Sequence, residues 1–244
     1  MRVIPVLDLK GGCVVHAVAG RREKYQPIRS VLVDSAAPVE VAAAFRHVLG
    51  LQELYVADLD AIGGSEPACG TLEALVNLGC QLMVDAGVQD QERAERLVES
   101  GVSRVVLALE SLPDPAVLDR LLCAIGQDRL VFSLDLRAGE PLGPRVAWGF
   151  ASGLEIAERV VCSGVRQMIV LDLAHVGTGS GPGTVPLCCQ ILDRHQTVEL
   201  ICGGGVRDVA DLHRLRTTPI AGVLVATALH QGRITRADLE ELLR

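Results

Sequence analysis

Eight short apolar runs recur along the chain, and each is followed by turn residues and then by an amphipathic stretch. The runs are apolar throughout rather than alternating, which is typical of parallel β-strands buried on both faces. The predicted strands, numbered 1 to 8 in chain order, are Val3–Leu7, Leu54–Ala57, Gln81–Val84, Val105–Leu107, Leu130–Leu134, Met168–Leu171, Val198–Cys202 and Gly222–Val225. Helices predicted between them include Val39–Leu49, Gln91–Ser100, Pro115–Ile125, Gly153–Cys162 and Asp208–Leu215.

This alternation of eight strands with helices in 244 residues predicts an α/β fold of the (β/α)8, or TIM, barrel type. An open, doubly wound sheet is the alternative architecture. Because no proline-rich or low-complexity linker interrupts the chain, we expect a single domain over residues 1–244.

A weak internal repeat favours the barrel. Four segments recur in the same order 114 to 127 residues later. The matched pairs are Leu7–Lys10 with Leu134–Arg137, Val56–Leu59 with Val170–Leu173, Val84–Asp90 with Cys202–Asp208, and Val105–Ala108 with Val223–Ala226. The repeat predicts two half-barrels of four βα units each, an arrangement for which an open sheet gives no reason.

Composition excludes several classes of function. Aromatic residues make up 2% of the chain and the net charge is −7, so we expect neither a base-stacking platform nor a basic patch for nucleic acid. No apolar run reaches the length of a membrane span, and the N-terminus lacks the pattern of a signal peptide. The eight cysteines show no C-x-x-C spacing, which favours buried free thiols over disulfides or zinc. We therefore expect a cytoplasmic protein with no metal, no cofactor, no membrane contact and no nucleic-acid partner.

Two aspartates end opposite predicted strands, Asp8 on strand 1 and Asp135 on strand 5. Active sites of such barrels lie at the carboxyl ends of the strands, so both carboxylates would face one cavity. A pair of this kind suits general acid and base catalysis if its surroundings separate the two pKa values. The alternative is that each aspartate caps the loop that follows it. We predict that Asp8 and Asp135 are catalytic.

Glycine-rich turns predict where a phosphate binds. Gly203-Gly204-Gly205 follows strand 7 and opens a helix, and Ala226-Thr227 follows strand 8. Glycines let backbone N–H groups approach an anion, and the ends of strands 7 and 8 are a frequent phosphate site in barrels. We predict that Gly204, Gly205, Ala226 and Thr227 bind the phosphate of a small sugar-type ligand. A tight turn that merely requires glycine is the alternative.

Further aspartates follow other strands. Asp58 and Asp172 form a second symmetric pair after strands 2 and 6, with Asp60 close by, and they either contact ligand hydroxyls or organise loops. In the turn after strand 3, Asp85 takes the place that a glycine has after strand 7. A carboxylate there repels a second phosphate unless it points away or is paired.

Two loops are candidates to cover a ligand. The stretch Arg21–Lys24 lies in the long loop after strand 1, which either closes over the ligand or is simply solvated. The glycine-rich loop Gly177–Gly183 follows strand 6 and lacks the Gly-Lys-Ser/Thr of a P-loop. We predict that it is a flexible cover, in which Gly177 and Thr178 contact the ligand.

Several motifs, taken together, carry a family resemblance. They are Ile4–Leu9 with Gly12–Val15, Val56–Asp60, Gly177–Pro182, Gly203–Val206 and Ala228–Arg233. Over essentially its whole length the chain resembles the histidine-biosynthesis (β/α)8 barrels, and it is more similar to their phosphoribosylformimino-aminoimidazole carboxamide ribotide (ProFAR) isomerases than to their cyclases. The resemblance implies that Asp8 and Asp135 are the acid–base pair of an Amadori aldose–ketose isomerisation. It also places Trp148 in the loop after strand 5, above Asp135, where it would cover a flat ring of a ligand.

The chain departs from the family pattern at several positions. Asp85–Gln89 replaces a Gly-Gly-Gly-Ile-Arg motif after strand 3, and Ala108–Leu109 replaces Gly-Thr or Gly-Ser after strand 4. Leu171 and Val176 replace a threonine and an aspartate around strand 6, and His16 replaces an arginine. We therefore expect a diverged paralogue whose ligand has one sugar-phosphate end and a different second end.

Three functions stay open on the sequence alone. The first is an authentic isomerase with a shifted second phosphate site, and the second is a paralogue that isomerises another phosphosugar. The third is a non-catalytic barrel that binds a phosphorylated ligand or a protein partner. The presence of both aspartates favours an enzyme.

Overall fold

The computed structural model describes residues 1–149 and 152–242. Within them, eight parallel strands form a barrel: β1 (Arg2–Lys10), β2 (Glu53–Asp58), β3 (Gln81–Asp85), β4 (Arg104–Ala108), β5 (Leu130–Arg137), β6 (Gln167–Asp172), β7 (Glu199–Gly203) and β8 (Gly222–Val225). Each strand pairs with the next in sequence, and β1 also pairs with β8. The predicted (β/α)8 barrel is confirmed, and this closing pair rules out the open sheet.

One longer helix follows each strand. These helices are α1 (Pro38–Leu49), α2 (Cys69–Asn77), α3 (Gln91–Glu99), α4 (Pro115–Ile125), α5 (Gly153–Cys162), α6 (Val185–Arg194), α7 (Val209–Arg216) and α8 (Arg236–Leu242). Single helical turns lie at Arg22–Lys24, Leu59–Ile62, Arg145–Trp148 and Thr227–His230. Four helices begin at side chains that accept a hydrogen bond from the backbone N–H three residues on, namely Asp90, Asp114, Ser152 and Asp208. The five predicted helices agree with these bounds to within one residue at either end.

The barrel has an inner and an outer core. Every strand contributes a buried side chain to the interior and β2 contributes two, and the set is Ile4, Tyr55, Ala57, Met83, Val106, Val131, Ile169, Ile201 and Leu224. The outer core fills the space between strands and helices, for example where Leu7 and Leu54 pack with Phe45 of α1. Branched aliphatic side chains dominate barrel interiors, which explains how a chain so poor in aromatic residues fills both cores.

Loops interlock at the carboxyl end of the barrel. The segment Cys13–His16 pairs antiparallel with β1 and then with Gln26–Pro27, which carries the long first loop back across the barrel mouth. The loop after β6 packs on it, since Ala19 donates its N–H to the Val176 carbonyl at 2.8 Å. Gly177 has a φ of +68°, and a Cβ there would lie 2.0 Å from the Ala17 carbonyl oxygen. Only glycine permits this backbone-to-backbone contact.

All eight cysteines lie within the described residues and are free thiols. Cys80, Cys188 and Cys202 are buried, as expected, whereas Cys123 and Cys162 are exposed on the outer helices. The expectation of burial is therefore wrong for these two. Among the helices of the described ranges, none has the length and apolar character needed to cross a membrane.

The inner core yields a test of the packing. Ile169→Ala removes a fully buried side chain between strands that cannot collapse around the gap, so we expect it to lower the free energy of unfolding by about 2–5 kcal/mol. The control is Val48→Ala on α1, where the side chain is 47% exposed and a change within about 0.5 kcal/mol is expected. Urea denaturation measures both. Equal effects of the two substitutions would contradict the layered core.

Candidate active site

A cavity opens at the carboxyl end of the barrel, beneath the loops that follow β1 and β6. Its empty volume is about 1060 Å³, including the space open to solvent. The ionisable acids that line it are Asp8, Asp85, Glu110 and Asp135, and the cationic side chains are Arg22, Arg207 and Arg233. Gly177, Gly204, Gly205, Ala226 and Thr227 also line it.

The structure brings Asp8 and Asp135 together in this cavity, from strands on opposite sides of the barrel. Burial raises the pKa of Asp8 to about 7, against the opposing effect of the Arg22 charge. Burial and then the charge of Asp85 raise the pKa of Asp135 well above its ordinary value. The Ser133 hydroxyl donates to the Asp135 carboxylate at 2.6 Å and partly offsets this rise. Asp8 therefore titrates near neutrality, and Asp135 releases its proton only at a higher pH than an ordinary aspartate does.

A buried tyrosine forms the floor beneath these acids. Tyr55 of β2 lies in the barrel interior and lines the cavity. Burial, together with the charges of Asp85, Asp135, Asp8 and Glu110, raises the pKa of Tyr55 well above its ordinary value. Its hydroxyl therefore stays protonated and can serve as a hydrogen-bond donor.

The first loop contributes a cation and a second phenol. Arg22, in the helical turn Arg22–Lys24, forms a salt bridge with Glu110 after β4, on the far side of the cavity mouth. Tyr25 lies beside it, and burial and then the Asp8 charge raise the pKa of Tyr25 to about 12. The sequence left two interpretations of this loop, a cover over the cavity and a solvated loop. Arg22 lines the cavity, as a cover would, whereas Arg21 and Lys24 are exposed to solvent.

The predicted phosphate turn is built from left-handed glycines. Gly204 and Gly205 have φ values of +90° and +88°, and both line the cavity beside Ala226 and Thr227. The Thr227 hydroxyl lies 3.1 Å from Nε2 of His16. A Cβ on Gly205 would lie 2.2 Å from the Gly181 carbonyl, so packing alone already demands glycine there. Phosphate binding by this turn stays a prediction.

The structure contradicts the predicted ligand contact of Asp172. This carboxylate is buried outside the cavity lining and accepts hydrogen bonds from the N–H groups of Ala138, Gly139 and Ala174 at 2.8–3.0 Å. Its symmetric partner Asp58 is used in the same way, accepting from two backbone N–H groups of its own loop. Both aspartates organise loops, the alternative considered above.

Two other predicted contacts are corrected. Trp148 does not stand above Asp135, because its side chain is 1% exposed and packs in the outer core on Phe132, with ring centroids 5.9 Å apart. Its indole N–H donates to the Leu112 carbonyl. Burial of this large aromatic side chain stabilises the fold more than its exposure in a solvated loop would. Thr178 is exposed away from the cavity and donates its hydroxyl to the His175 carbonyl at 2.9 Å.

Sequence reasoning missed several cavity residues. Glu110 follows the apolar run of strand 4 by only a few residues, so the rule that found Asp8 also applies to it. Tyr55 lies in the middle of an apolar strand, where it passes for a core residue. Arg207 and Arg233 follow β7 and β8 and line the cavity, but nothing in the sequence around them distinguishes them from surface arginines.

Comparison with known proteins agrees with this geometry. Residues 2–235 match the family described as histidine biosynthesis protein. The chain belongs to this family. It is 31% identical over 248 residues to an uncharacterized protein of Methanocaldococcus jannaschii, covering 100% of this chain and 98% of that protein.

Two relatives within the histidine biosynthesis family carry the name 1-(5-phosphoribosyl)-5-((5-phosphoribosylamino)methylideneamino)imidazole-4-carboxamide isomerase, that is, ProFAR isomerase. The protein of Thermus thermophilus is 32% identical over 240 residues, which cover 96% of each chain. The protein of Campylobacter concisus is 32% identical over 244 residues, which cover 98% of each chain. The resemblance inferred from the motifs is confirmed over the whole chain.

The desolvated carboxyl of Asp8 predicts a pH dependence of stability. Its pKa rises from 3.8 to about 7 on folding, so between these values the folded protein binds more protons than the unfolded chain. The free energy of unfolding therefore falls as the pH rises from about 4 to about 7, by about 1.4 kcal/mol for each pKa unit. Asp8→Asn removes this penalty and is expected to be more stable than the parent at pH 8, with a clearly smaller gain at pH 5, where only part of the penalty has developed.

Chemical denaturation of both proteins at the two pH values checks this expectation. Asp119→Asn is the matched control, because it removes an exposed carboxylate of α4 far from the cavity. An Asp8→Asn variant less stable than the parent at pH 8 would show that the ionised carboxylate is favourably paired rather than merely desolvated.

Proposed function

We propose that this protein is an aldose–ketose isomerase that acts on a phosphoribosyl compound, with Asp8 and Asp135 as the proton-transfer groups. The observation that carries the proposal is a pair of carboxyls at one cavity, half-buried Asp8 with a pKa of about 7 and buried Asp135 with a pKa well above its ordinary value. Membership of the histidine biosynthesis family and relatives named as ProFAR isomerases support the same reaction class.

The difference between the two carboxyls assigns their roles. Asp135, whose pKa is raised well above its ordinary value, donates its proton to the ring oxygen of an aminoaldose. The bond between C1 and this oxygen then breaks and gives a protonated Schiff base. Ionised Asp8 then removes the proton from C2, and that electron pair forms the C1=C2 bond of an enolamine. Protonation of C1 and loss of the C2 hydroxyl proton complete the ketose, so the product has the composition of the substrate.

The phosphate end of the ligand belongs, in this proposal, at the ends of β7 and β8. Gly204 and Gly205 line the cavity at the start of the segment that leads into α7, so their N–H groups are the proposed donors to the phosphate, and Thr227 adds a hydroxyl. Arg207 and Arg233 bring positive charge to the same end. Phosphate binding here anchors the substrate so that its reactive carbons lie between the two aspartates.

A second candidate is a non-catalytic barrel that binds a phosphorylated ligand or a protein partner. It is favoured by Leu171, which lines the cavity at the end of β6 where the family pattern has a threonine, and by Val176, which replaces an aspartate. Loss of a hydrogen bond at a reacting centre lowers a rate by about 10²–10³. The half-barrel repeat and the cytoplasmic location remain predictions under either candidate.

Single substitutions separate the two candidates. With ProFAR and N-substituted ribosylamine 5-phosphates as assayed compounds, Asp8→Asn and Asp135→Asn are each expected to lower kcat by about 10²–10⁴, because each removes one proton transfer. Asp119→Asn is the control and is expected to keep full activity. The same compounds should still raise the Tm of both variants, since the phosphate end is intact.

Phosphosugar binding by the parent with no turnover of any compound would favour the non-catalytic barrel. Complementation of an isomerase-deficient, histidine-requiring strain tests a different point, namely whether the substrate is that of the named relatives. Growth restored by the parent but not by Asp8→Asn would assign ProFAR itself.

A further inference from the structure

The cavity has opposite charges at its two ends. Asp85, Glu110 and Asp135 line it after β3, β4 and β5. Arg207 and Arg233 line it after β7 and β8, where the described lining contains no acidic side chain. Arg207 is held by a bidentate salt bridge to buried Asp211, so Arg233, which forms no salt bridge within the described residues, supplies most of the positive charge at this end. A ligand that spans the mouth therefore meets a field that attracts an anion at one end and repels it at the other.

The backbone N–H groups at the acidic end are already used by the protein. Gly87, in the turn after β3, donates its N–H to the Asp85 carboxylate at 3.1 Å. After β4, the N–H of Leu109 donates to the Ser133 carbonyl at 2.9 Å, and that of Glu110 points to the Asp135 carboxylate at 3.4 Å. No N–H of these three is left to hold a phosphate, in contrast to the turn at Gly204 and Gly205 that opens into the cavity.

The nearest cation does not compensate for these acids. Arg22 is bound to Glu110, so its charge is neutralised where it meets the acidic end. Lys10 donates to the backbone carbonyl of Arg22 at 2.7 Å, which ties the turn that carries this arginine to the end of β1. The net charge of Arg22, Glu110, Asp85 and Asp135 is negative whenever any one of the aspartates is ionised.

Resting on the proposed function, we propose that the ligand carries a single phosphate, held at the ends of β7 and β8, and that its other end is an uncharged or cationic group that donates hydrogen bonds, such as an amine or a polyol. Asp85 and Glu110 are the acceptors for that group. The named relatives act on a compound with two phosphoribosyl groups, so this chain would select a different substrate class from theirs.

Burial of Asp85 supports this assignment. Burial raises the pKa of Asp85 to about 7, and Glu110 contributes to the rise. A second anion placed beside this carboxyl would have to be desolvated next to like charge, which weakens its binding. A hydrogen-bond donor or a cation instead offsets the desolvation of the acid.

A matched pair of compounds tests the proposal by isothermal titration calorimetry at pH 8. Ribulose 5-phosphate and ribulose 1,5-bisphosphate are the same ketose and differ by the phosphate on C1, and the parent is expected to bind the monophosphate at least about tenfold more tightly. Asp85→Asn and Glu110→Gln, separately and combined, are expected to shift this ratio toward the bisphosphate by about tenfold or more. The Asp119→Asn control should keep the parental ratio.

The outcomes separate this inference from the function on which it rests. Equal or tighter binding of the bisphosphate by the parent overturns the single-phosphate ligand while leaving the isomerase proposal standing. Failure of both compounds to bind removes the phosphate site and overturns both proposals. A preference for the monophosphate that persists in all the Asp85 and Glu110 variants would show that these acids are not its cause and would also overturn the inference. Asp85→Asn keeps an acceptor for the Gly87 N–H and is expected to fold.

Discussion

Closure of the barrel by β1 and β8 is the contact on which the rest of the structure depends. The pairing runs from Arg2 opposite Gly222 to Pro5 opposite Val225, and joins residues more than 200 positions apart. Pro5 has no N–H to donate, and it falls where β1 leaves β8 and begins to pair with β2 at Val6. The N–H that Pro5 lacks would thus fall where β1 changes from pairing with β8 to pairing with β2. The same closure of the barrel brings Asp8 beside the turn after β8.

The closed mouth then sets the chemistry of the acids. Loops after β1 and β6 pack backbone to backbone above the cavity, and this covering removes water from Asp8, Asp85 and Asp135. Their raised pKa values are costs to stability that no salt bridge among the described residues offsets for these three carboxyls. Natural proteins keep such groups chiefly where function requires them, so the destabilisation is itself an argument for a reactive cavity.

The sequence predicted the barrel well because the signal is repeated and local. Buried parallel strands are apolar on both faces, and each predicted helix has its own apolar face and flanking cap. The site was predicted only in part, since a strand-end aspartate looks the same whether it faces the cavity, as Asp8 does, or binds backbone N–H groups, as Asp172 does. Trp148 was misplaced because burial in the outer core depends on Phe132 and Leu112, which are distant in sequence.

The turns after β3 and β7 show how one position can serve opposite purposes. After β7, Gly204 and Gly205 line the cavity without side chains, although packing of Gly205 on Gly181 also requires the missing side chain. After β3, the residue at the first position is Asp85, and its carboxylate takes the N–H of Gly87. An internal acceptor thus stands where an external anion would bind, and the backbone geometry needs no other change. Under the proposed assignment, a single side chain in the turn after β3 decides whether a second anion binds, while the fold and the aspartates of β1 and β5 stay the same.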